Sequence, residues 1–383
     1  MMKTVVLGLA TLSASFAQHP PLVKSPEVHP DRRVTFRFRD PNAQEVSLHL
    51  EGTKQPMPMH KDDQGMWSLT TDPLAPDLYG YSFEADGVEL LDPANSAIKP
   101  NLLNPSNELH VPGTSPLAWE FSDIPHGIVH HHFYKSKIVG DNRDFYVYTP
   151  PGYDPSAKTL YPVLYLLHGY SDDASAWTEV GKANLILDSL LAEAKAKPMI
   201  IVMPLGYGAP EIVQRTRAAP FNDAALREKN VNNFRRALID EVLPRVETLY
   251  KVTPNRSSRA IAGLSMGGAE SLLTGLSRPD QFAWIGAFST GGLTSGFASD
   301  FPKLTPDTNA QIRLLWMACG SDDHLIALNR NLISWLRTKG IHLTAIETPG
   351  MHSWTVWRRN LLAFAPLLFN DAHPIDGQVT DAH

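Results

Sequence analysis

Two parts of the chain differ in the spacing of their apolar positions. From about residue 30 to 111, apolar and polar side chains alternate, as in VTFRFR (34–39), VSLHL (46–50) and YGYSF (79–83). A period of two is typical of half-buried strands, and the connections DPNAQ, DDQG and EADG carry the residues that tight turns need. This part therefore predicts a small antiparallel β-sandwich.

The pattern changes after LHVPGTSPLAWEFSDIPHG (109–127), whose prolines and glycines are typical of a linker. Short apolar runs that end in turns then alternate with segments in which apolar residues recur every three or four positions, such as Phe234, Leu238 and Val242. Strands buried on both faces and alternating with helices predict a mostly parallel α/β sheet. The segment 208–230 is weakly periodic, and we interpret it as a lid or insertion beside a site.

The expected organisation is a signal peptide at 1–17, a β-sandwich at 18–115, a linker at 116–126, an α/β domain at 127–370 and a C-terminal tail at 371–383. The signal peptide is inferred from a lysine, an apolar stretch and then small residues, with Ser15 and Ala17 in the pattern for cleavage before Gln18. The alternative, a buried first strand or helix, is disfavoured because a proline pair follows at once. We therefore expect a secreted or periplasmic protein.

Composition and charge narrow the function classes. Of the 383 residues, 43% are hydrophobic and 19% charged, which is enough for a large buried core. The net charge is −6 and the basic residues are scattered, so we expect no nucleic-acid partner. No later apolar run reaches the roughly 20 residues of a membrane span. The single cysteine, Cys319, excludes an internal disulfide and is expected to be a buried strand residue.

One candidate nucleophile stands out in RAIAGLSMGG (259–268), where a predicted strand gives way to a predicted helix. A nucleophilic serine at such a turn needs a strained backbone, and Gly263 and Gly267 let the strand and the helix approach closely around Ser265. The amide of Met266, at the start of the helix, can then stabilise an oxyanion. The alternative interpretation is a tight turn with a capping serine.

A serine hydroxyl needs a base and an orienting acid, which on such folds follow in the order acid, then histidine, after later strands. The last two predicted strands are followed by Asp322 and Asp323 and by His352, so the order is met. Either aspartate could instead cap the next helix. His324 and His342 compete as bases, but the first begins a predicted helix and the second a predicted strand.

A second oxyanion donor is expected after an earlier strand. The strand in YLLHGYSDDASAW (165–177) ends at His168 and Gly169, which makes the amide of Tyr170 the candidate donor. A plain glycine loop is the alternative.

A metal or cofactor is not expected. In VHHHF (129–133), only His130 and His132 would lie on one face of a strand, which disfavours a ligand set. The chain has no HExxH, phosphate-loop or GxGxxG pattern.

Four motifs together carry a family resemblance: YPVLYLLHGYSDDASAW (161–177), GLSMGG (263–268), CGSDD (319–323) and PGMHSWTVWRRNL (349–361). They resemble the esterase D/feruloyl esterase branch of the α/β hydrolases, which includes feruloyl and acetylxylan esterases. The resemblance implies an α/β-hydrolase fold over about 127–370. The roles that it implies are nucleophile for Ser265, base for His352, acid for Asp323 and oxyanion donors for Tyr170 and Met266. Trp177 and Trp354 match aromatic positions near the cleft and are candidates for substrate binding, with core packing as the alternative.

The front stretch DDQGMWSLTTDPLAPDLYGYSFEADGVELLDPANS (62–96) resembles the glycogen-branching-enzyme type of immunoglobulin-like module. In relatives this module precedes the esterase domain and sometimes binds xylan-type polysaccharide. Trp67, Tyr79 and Tyr81 are candidates for stacking on sugar rings, although aromatic residues of a small sandwich more often form its core.

The resulting hypothesis is a secreted serine esterase that cleaves feruloyl or acetyl esters on plant-wall polysaccharide. A siderophore-ester hydrolase of the enterochelin type is an alternative, because those enzymes share the two-part layout. A carbohydrate-binding protein with an inactive hydrolase half is another. The sequence does not indicate an oligomeric state.

Overall fold

The computed structural model describes residues 23–214, 223–294 and 296–370. The predicted signal peptide, the predicted tail and residues 215–222 of the predicted lid lie outside the described residues. None of the helices in the described part is long and apolar enough to cross a membrane.

Short strands make up the front part of the described chain, which we call the front module. They are β1 (Glu27–Val28), β2 (Val34–Arg39), β3 (Val46–Leu50), β4 (Met57–Pro58), β5 (His60–Lys61), β6 (Met66–Thr70), β7 (Asp77–Ala85), β8 (Val88–Leu90), β9 (Ile98–Lys99) and β10 (Ser106–Val111). One sheet has the order β1-β2-β6-β5, and the other the order β4-β3-β7-β10-β9 with β8 added to β7. Alternate residues such as Phe36, Leu48 and Phe83 are fully buried in a shared core, which confirms the predicted β-sandwich.

The second part, which we call the α/β domain, contains an eight-stranded sheet with the order β11-β12-β14-β13-β15-β16-β17-β18. Its strands are β11 (Ile128–Lys135), β12 (Asn142–Thr149), β13 (Val163–Leu167), β14 (Ile200–Pro204), β15 (Arg259–Leu264), β16 (Trp284–Phe288), β17 (Leu314–Gly320) and β18 (Thr344–Thr348). The pairings β11–β12 and β12–β14 are antiparallel, and the others are parallel. This confirms the expected mostly parallel α/β-hydrolase sheet.

Helices cover both faces of this sheet. They are α1 (Ala176–Glu179), α2 (Ala183–Ala192), α3 (Ala224–Ala237), α4 (Leu243–Leu249), α5 (Met266–Gly275), α6 (Phe297–Asp300), α7 (Ile326–Thr338) and α8 (Trp354–Phe364). Helices α1, α2 and α8 pack on one face of the sheet, and α3, α4, α5 and α7 on the other. Cys319 is buried in β17, as the sequence predicts, and burial raises the pKa of its thiol to about 12.

A buried ion pair joins the front module to the α/β domain. Asp77, at the start of β7, accepts hydrogen bonds from Arg358 of α8 at 2.9 Å and from Arg359 at 2.8 Å. The indole of Trp119, in the predicted linker, donates to the same carboxylate at 3.0 Å and is itself buried. Removing one partner of a buried ion pair typically costs several kcal/mol, on the order of 3–5. The two parts are therefore packed as one body rather than tethered.

Candidate active site

Ser265 occupies the turn between β15 and α5 with φ of 51° and ψ of −114°. A positive φ on a residue with a side chain costs about 1–3 kcal/mol, so the surroundings must hold it. The Ser265 amide donates to the Phe288 carbonyl at 2.8 Å, and its carbonyl accepts from the Gly291 amide at 3.0 Å. Both contacts come from the neighbouring strand β16 and the loop that follows it.

The two glycines of the motif lie where three backbone segments meet. A Cβ on Gly263 would lie 2.5 Å from the Gly267 carbonyl oxygen, and one on Gly267 would lie 2.4 Å from the His168 carbonyl oxygen. Carbon and oxygen atoms do not approach so closely without a shift of the backbone. Glycine therefore lets β15, α5 and the end of β13 converge on Ser265.

His352 connects Ser265 to a buried carboxylate. It follows β18, and its Nε2 lies 3.1 Å from Ser265 Oγ, while its Nδ1 lies 2.8 Å from Asp323 Oδ2. The side chain of Asp323 is fully buried, and that of His352 is 21% exposed. Both distances are within hydrogen-bond range, so the three side chains form one hydrogen-bonded chain.

The structure distinguishes the two neighbouring aspartates. Burial alone would raise the pKa of Asp323, but hydrogen bonding and charge interaction with His352 outweigh it, and its pKa lies below the ordinary value. Its Oδ1 also accepts from the Leu325 amide at 2.8 Å, so the carboxylate is held at both oxygens. The Asp322 side chain is half exposed and lies 3.4 Å from Lys54 Nζ instead.

The histidine that is hydrogen-bonded to Ser265 is His352, although the ring of His324 lies beside it with centroids 4.7 Å apart. His324 is largely exposed, and its Nδ1 lies 3.5 Å from Asp323 Oδ1. His342 is exposed just before β18. His352 is therefore the histidine that the structure brings to Ser265.

The segment after β13 lies beside the nucleophile turn. A Cβ on Gly169 would lie 3.5 Å from the Cβ of Ser265, and Gly169 and Tyr170 line the same cavity as Ser265. Met266 is the first residue of α5, where backbone amides have no acceptor within the helix. Both candidate oxyanion donors are thus close to Ser265, and their role remains a proposal.

His168 fixes the backbone of this segment, a function that the sequence analysis missed. Its Nε2 accepts from the Gly206 amide at 2.8 Å, so the ring proton is on Nδ1, which donates to the Gly169 carbonyl at 2.8 Å. Burial lowers the pKa of His168 to about 4, which keeps the ring neutral near pH 7. The sequence feature that could have indicated this role is a histidine directly before a glycine at the end of a buried strand.

A cavity of about 290 Å³ opens at Ser265 and His352. Tyr170, Trp354 and Trp357 contribute aromatic wall from the α/β domain. Polar residues of the front module form the opposite side, namely Glu51, Lys99, Asn101, Asn104 and Ser106. The periodic patterns of the sequence do not predict that residues of the front module line this cavity.

Trp177 adopts the core-packing alternative and is not among the residues that line the cavity at Ser265. Its side chain is 1% exposed, and its indole donates to the Leu167 carbonyl at 2.9 Å. It packs edge-on against Trp354, with ring centroids 5.1 Å apart. The large apolar ring is more stable in the core than at the surface. From this buried position Trp177 packs behind Trp354, which lines the cavity.

Two groups of side chains in the described part of the chain contain potential metal-ligand atoms. Ligand atoms of Asp323, His324 and His352 lie within 4.8 Å of one another, but His352 and Asp323 are hydrogen-bonded to each other there. His130 and His132 lie on one face of β11 with protein partners, Thr149 Oγ1 at 3.3 Å and Tyr250 Oη at 2.5 Å respectively. We therefore assign neither group as a metal site.

Comparisons with known proteins agree with this two-part structure. Residues 136–368 match a family model described as "Putative esterase". Residues 25–100 match the model of carbohydrate-binding module 48, the isoamylase N-terminal domain.

Two curated relatives show which proteins the sequence is similar to. A protein described as an endo-1,4-beta-xylanase/feruloyl esterase, from Xylanibacter ruminicola, is 29% identical over 351 residues, covering 90% of this chain and 46% of that protein. An acetyl esterase from Caldicellulosiruptor saccharolyticus is 25% identical over 230 residues, covering 51% of this chain and 79% of that protein. The chain thus spans about half the length of the Xylanibacter relative.

Two kinds of solved structure share the fold. A ferulic acid esterase from Anaeromyces mucronatus, solved with ferulic acid, matches with a TM-score of 0.56 at 26% identity over 65% of this chain and 93% of its own. An enterobactin esterase from Shigella flexneri matches with a TM-score of 0.66 at 19% identity over 88% of this chain and 93% of its own. The second likeness shows a shared fold that includes both parts of the chain.

The crowding at Gly267 gives a stability prediction. Gly267→Ala places a methyl group 2.4 Å from a backbone oxygen, so we expect a loss of about 1–3 kcal/mol in the free energy of unfolding. Gly268→Ala is the matched control, because its nearest atoms would lie at 3.2 Å and it also gains helix propensity. Urea unfolding of both variants measures the difference. Equal stability of the two variants would contradict the close approach at Gly267.

Proposed function

Because the chain belongs to the esterase family matched by residues 136–368, we propose that it is a serine carboxylic-ester hydrolase acting on feruloyl or acetyl esters of plant-wall polysaccharide. The observation that carries the proposal is the hydrogen-bonded chain from Asp323 through His352 to Ser265. A base next to a serine hydroxyl, with an ionised acid behind it, is the arrangement that makes serine nucleophilic near neutral pH.

In the proposed mechanism, His352 Nε2 takes the proton of Ser265 as Oγ attacks the ester carbonyl carbon. The carbonyl oxygen becomes an oxyanion, which the amides of Met266 and Tyr170 stabilise. Asp323 holds the imidazole in the tautomer with Nδ1 protonated and stabilises its cationic form. The neutral ring of His168 keeps the Gly169–Tyr170 backbone in position during this step.

The tetrahedral intermediate then collapses. The bond to the alcohol oxygen breaks, and His352 returns its proton to that oxygen, which leaves an acyl group on Ser265. Water loses a proton to His352 and attacks the acyl carbon, and the second intermediate releases the acid and regenerates the serine. The steps need no metal or cofactor.

The choice of acyl group rests on similarity to the feruloyl and acetyl esterases described above. The walls formed by Trp354, Trp357 and Tyr170 are compatible with a planar aromatic acyl group. A siderophore ester remains the second candidate, because the enterobactin esterase fold covers 88% of the chain, including the front module. An inactive hydrolase half is disfavoured by the complete hydrogen-bonded chain.

Export is part of the proposal, since residues 1–17 have the pattern of a signal peptide. The mature protein recovered from the periplasm or medium of an expressing bacterium is expected to begin at Gln18. Intact-mass measurement and N-terminal sequencing test this. A full-length protein retained in the cytoplasm would contradict export.

Ser265→Ala removes the proposed nucleophile. We expect kcat for methyl ferulate to fall by at least about 10³-fold, because the remaining groups offer only binding and oxyanion stabilisation. Ser277→Ala, at a serine two residues after the end of α5, is the matched control and should retain activity. Assaying the wild type on methyl ferulate, acetylated xylan and enterobactin identifies the acyl group. Hydrolysis of enterobactin alone would favour the siderophore alternative, and undiminished activity of Ser265→Ala would refute the mechanism.

Asp323→Asn and Asp322→Asn separate the two aspartates. An amide at 323 favours the wrong tautomer of His352, so we expect kcat to fall by about 10³–10⁴-fold. Asp322 forms an exposed pair with Lys54 and accepts a hydrogen bond from the Ser321 hydroxyl at 3.4 Å, so its replacement should change kcat by less than about twofold. Steady-state kinetics on methyl ferulate provide the measurement. A larger loss at Asp322 would assign the acid to that residue instead.

A further inference from the structure

Asp172 places a buried carboxyl group in the wall of the cavity at Ser265. It follows Tyr170 by two residues and is 5% exposed. Its Oδ2 lies 3.4 Å from the position that a Cβ on Gly169 would take, and the Ser265 Cβ lies 3.5 Å from the same position. The carboxyl is therefore on the side of the cavity where the proposed oxyanion forms, and the proposed mechanism does not use it.

Hydrogen bonds hold the segment that carries this carboxyl from two directions. Asn101, in the loop between β9 and β10 of the front module, donates from its side chain to Asp172 Oδ1 at 2.9 Å. The Leu102 amide of the same loop donates to the Ser171 carbonyl at 2.7 Å. From the α/β domain, the Tyr207 hydroxyl donates to the Asp172 carbonyl at 2.8 Å. The carboxyl thus has little freedom to turn towards solvent when it ionises.

The charged groups around Asp172 compensate its negative charge only weakly. Lys99 of β9 is the cation that acts on it, but Lys99 Nζ lies 2.7 Å from Glu51 Oε2 and is paired there. Asp173, the next residue, adds a like charge. The phenol of Tyr207 is buried, and burial raises its pKa well above the ordinary value, so it is neutral. A buried carboxyl in such surroundings favours its protonated form.

The two charge states of Asp172 are both accessible near neutral pH. Burial raises the pKa of its carboxyl from 3.8 to about 7, and Lys99, Asn101 and the Gly169 backbone offset only part of this effect. The uncharged carboxyl therefore predominates in weak acid, and the carboxylate predominates in weak alkali.

A carboxylate at this position opposes the proposed chemistry. Attack by Ser265 creates a negative charge on the ester oxygen, next to the amides of Tyr170 and Met266. A second negative charge in the same cavity raises the energy of that intermediate, and at a separation of several ångströms the effect corresponds to roughly 10-fold in rate. The uncharged carboxyl has no such cost.

We propose that the charge state of Asp172 controls oxyanion stabilisation at Ser265, so that the uncharged carboxyl permits ester hydrolysis and the carboxylate opposes it. Asp172 acts through the oxyanion and takes no part in bond making, and its ionisation releases one proton to solvent. The inference deepens the proposed esterase function and rests on it.

The pH dependence of Asp172→Asn tests this role. Asparagine is uncharged at every pH and retains an oxygen that can accept from Asn101. For p-nitrophenyl acetate, an ester without an ionisable group, we expect wild-type kcat/KM to be about 10-fold lower at about pH 8.5 than at about pH 6. In Asp172→Asn this fall is expected to be absent. Asp172→Ala also removes the charge, so it should show the same flat profile even if it is slower throughout.

Asp322→Asn is the matched control, because it makes the same change in a half-exposed carboxylate next to Asp323. It is expected to keep the wild-type fall in alkali. A role for Asp172 that is limited to holding Asn101 would lower the rate of Asp172→Ala equally at all pH values and leave the alkaline fall in place. That outcome, or an alkaline fall that persists in Asp172→Asn, would overturn the proposal.

Urea unfolding provides a readout that does not depend on ester hydrolysis. A carboxyl with a raised pKa keeps its proton in the folded protein at pH values where the unfolded chain has released it. The urea midpoint of the wild type is therefore expected to fall relative to that of Asp172→Asn as the pH rises from about 4 to about 7. A constant difference between the two midpoints would refute this inference alone, even with an active esterase. A changing difference in a protein that hydrolyses no ester would refute the proposed function, and with it the role of Asp172 in hydrolysis.

Discussion

The strained turn at Ser265 is the constraint on which the rest of the site depends. A serine with φ of 51° can be held there because β15, the end of β13 and the start of α5 approach closely at Gly263 and Gly267. Hydrogen bonds to Phe288 and Gly291 complete the support. Parallel strands end at one edge of the sheet, so the turns after β17 and β18 deliver Asp323 and His352 to the same point.

The hydrogen-bonded chain of Ser265, His352 and Asp323 is supported from both parts of the protein. A neutral His168 holds the Gly169 carbonyl, and Glu51 and Asn101 of the front module are hydrogen-bonded to segments on either side of that chain. The buried pair of Asp77 and Arg358 keeps the module in place. The front module is therefore a wall of the cavity, which is how a small sandwich can contribute to a site on a larger domain.

Much of this could be predicted from the sequence because the signals are local. The period-two strands, the alternation of strand and helix, and the order of Ser265, Asp323 and His352 are all properties of short segments. The contact between Glu51 and Trp354 joins residues 303 positions apart, and no periodicity reports it. Trp177 shows that a local signal can also be ambiguous. An aromatic residue in a motif near the site has the same sequence pattern whether it lines the cavity or packs in the core.

The central claim is that Ser265 is the activated nucleophile, and covalent labelling tests it most directly. The wild-type protein is incubated with a fluorophosphonate at neutral pH and analysed by intact-mass and peptide mass spectrometry. The account predicts one adduct per chain, located on the peptide that contains Ser265 and absent from Ser265→Ala. A wild-type protein that stays unlabelled, or an adduct on another serine, would contradict it.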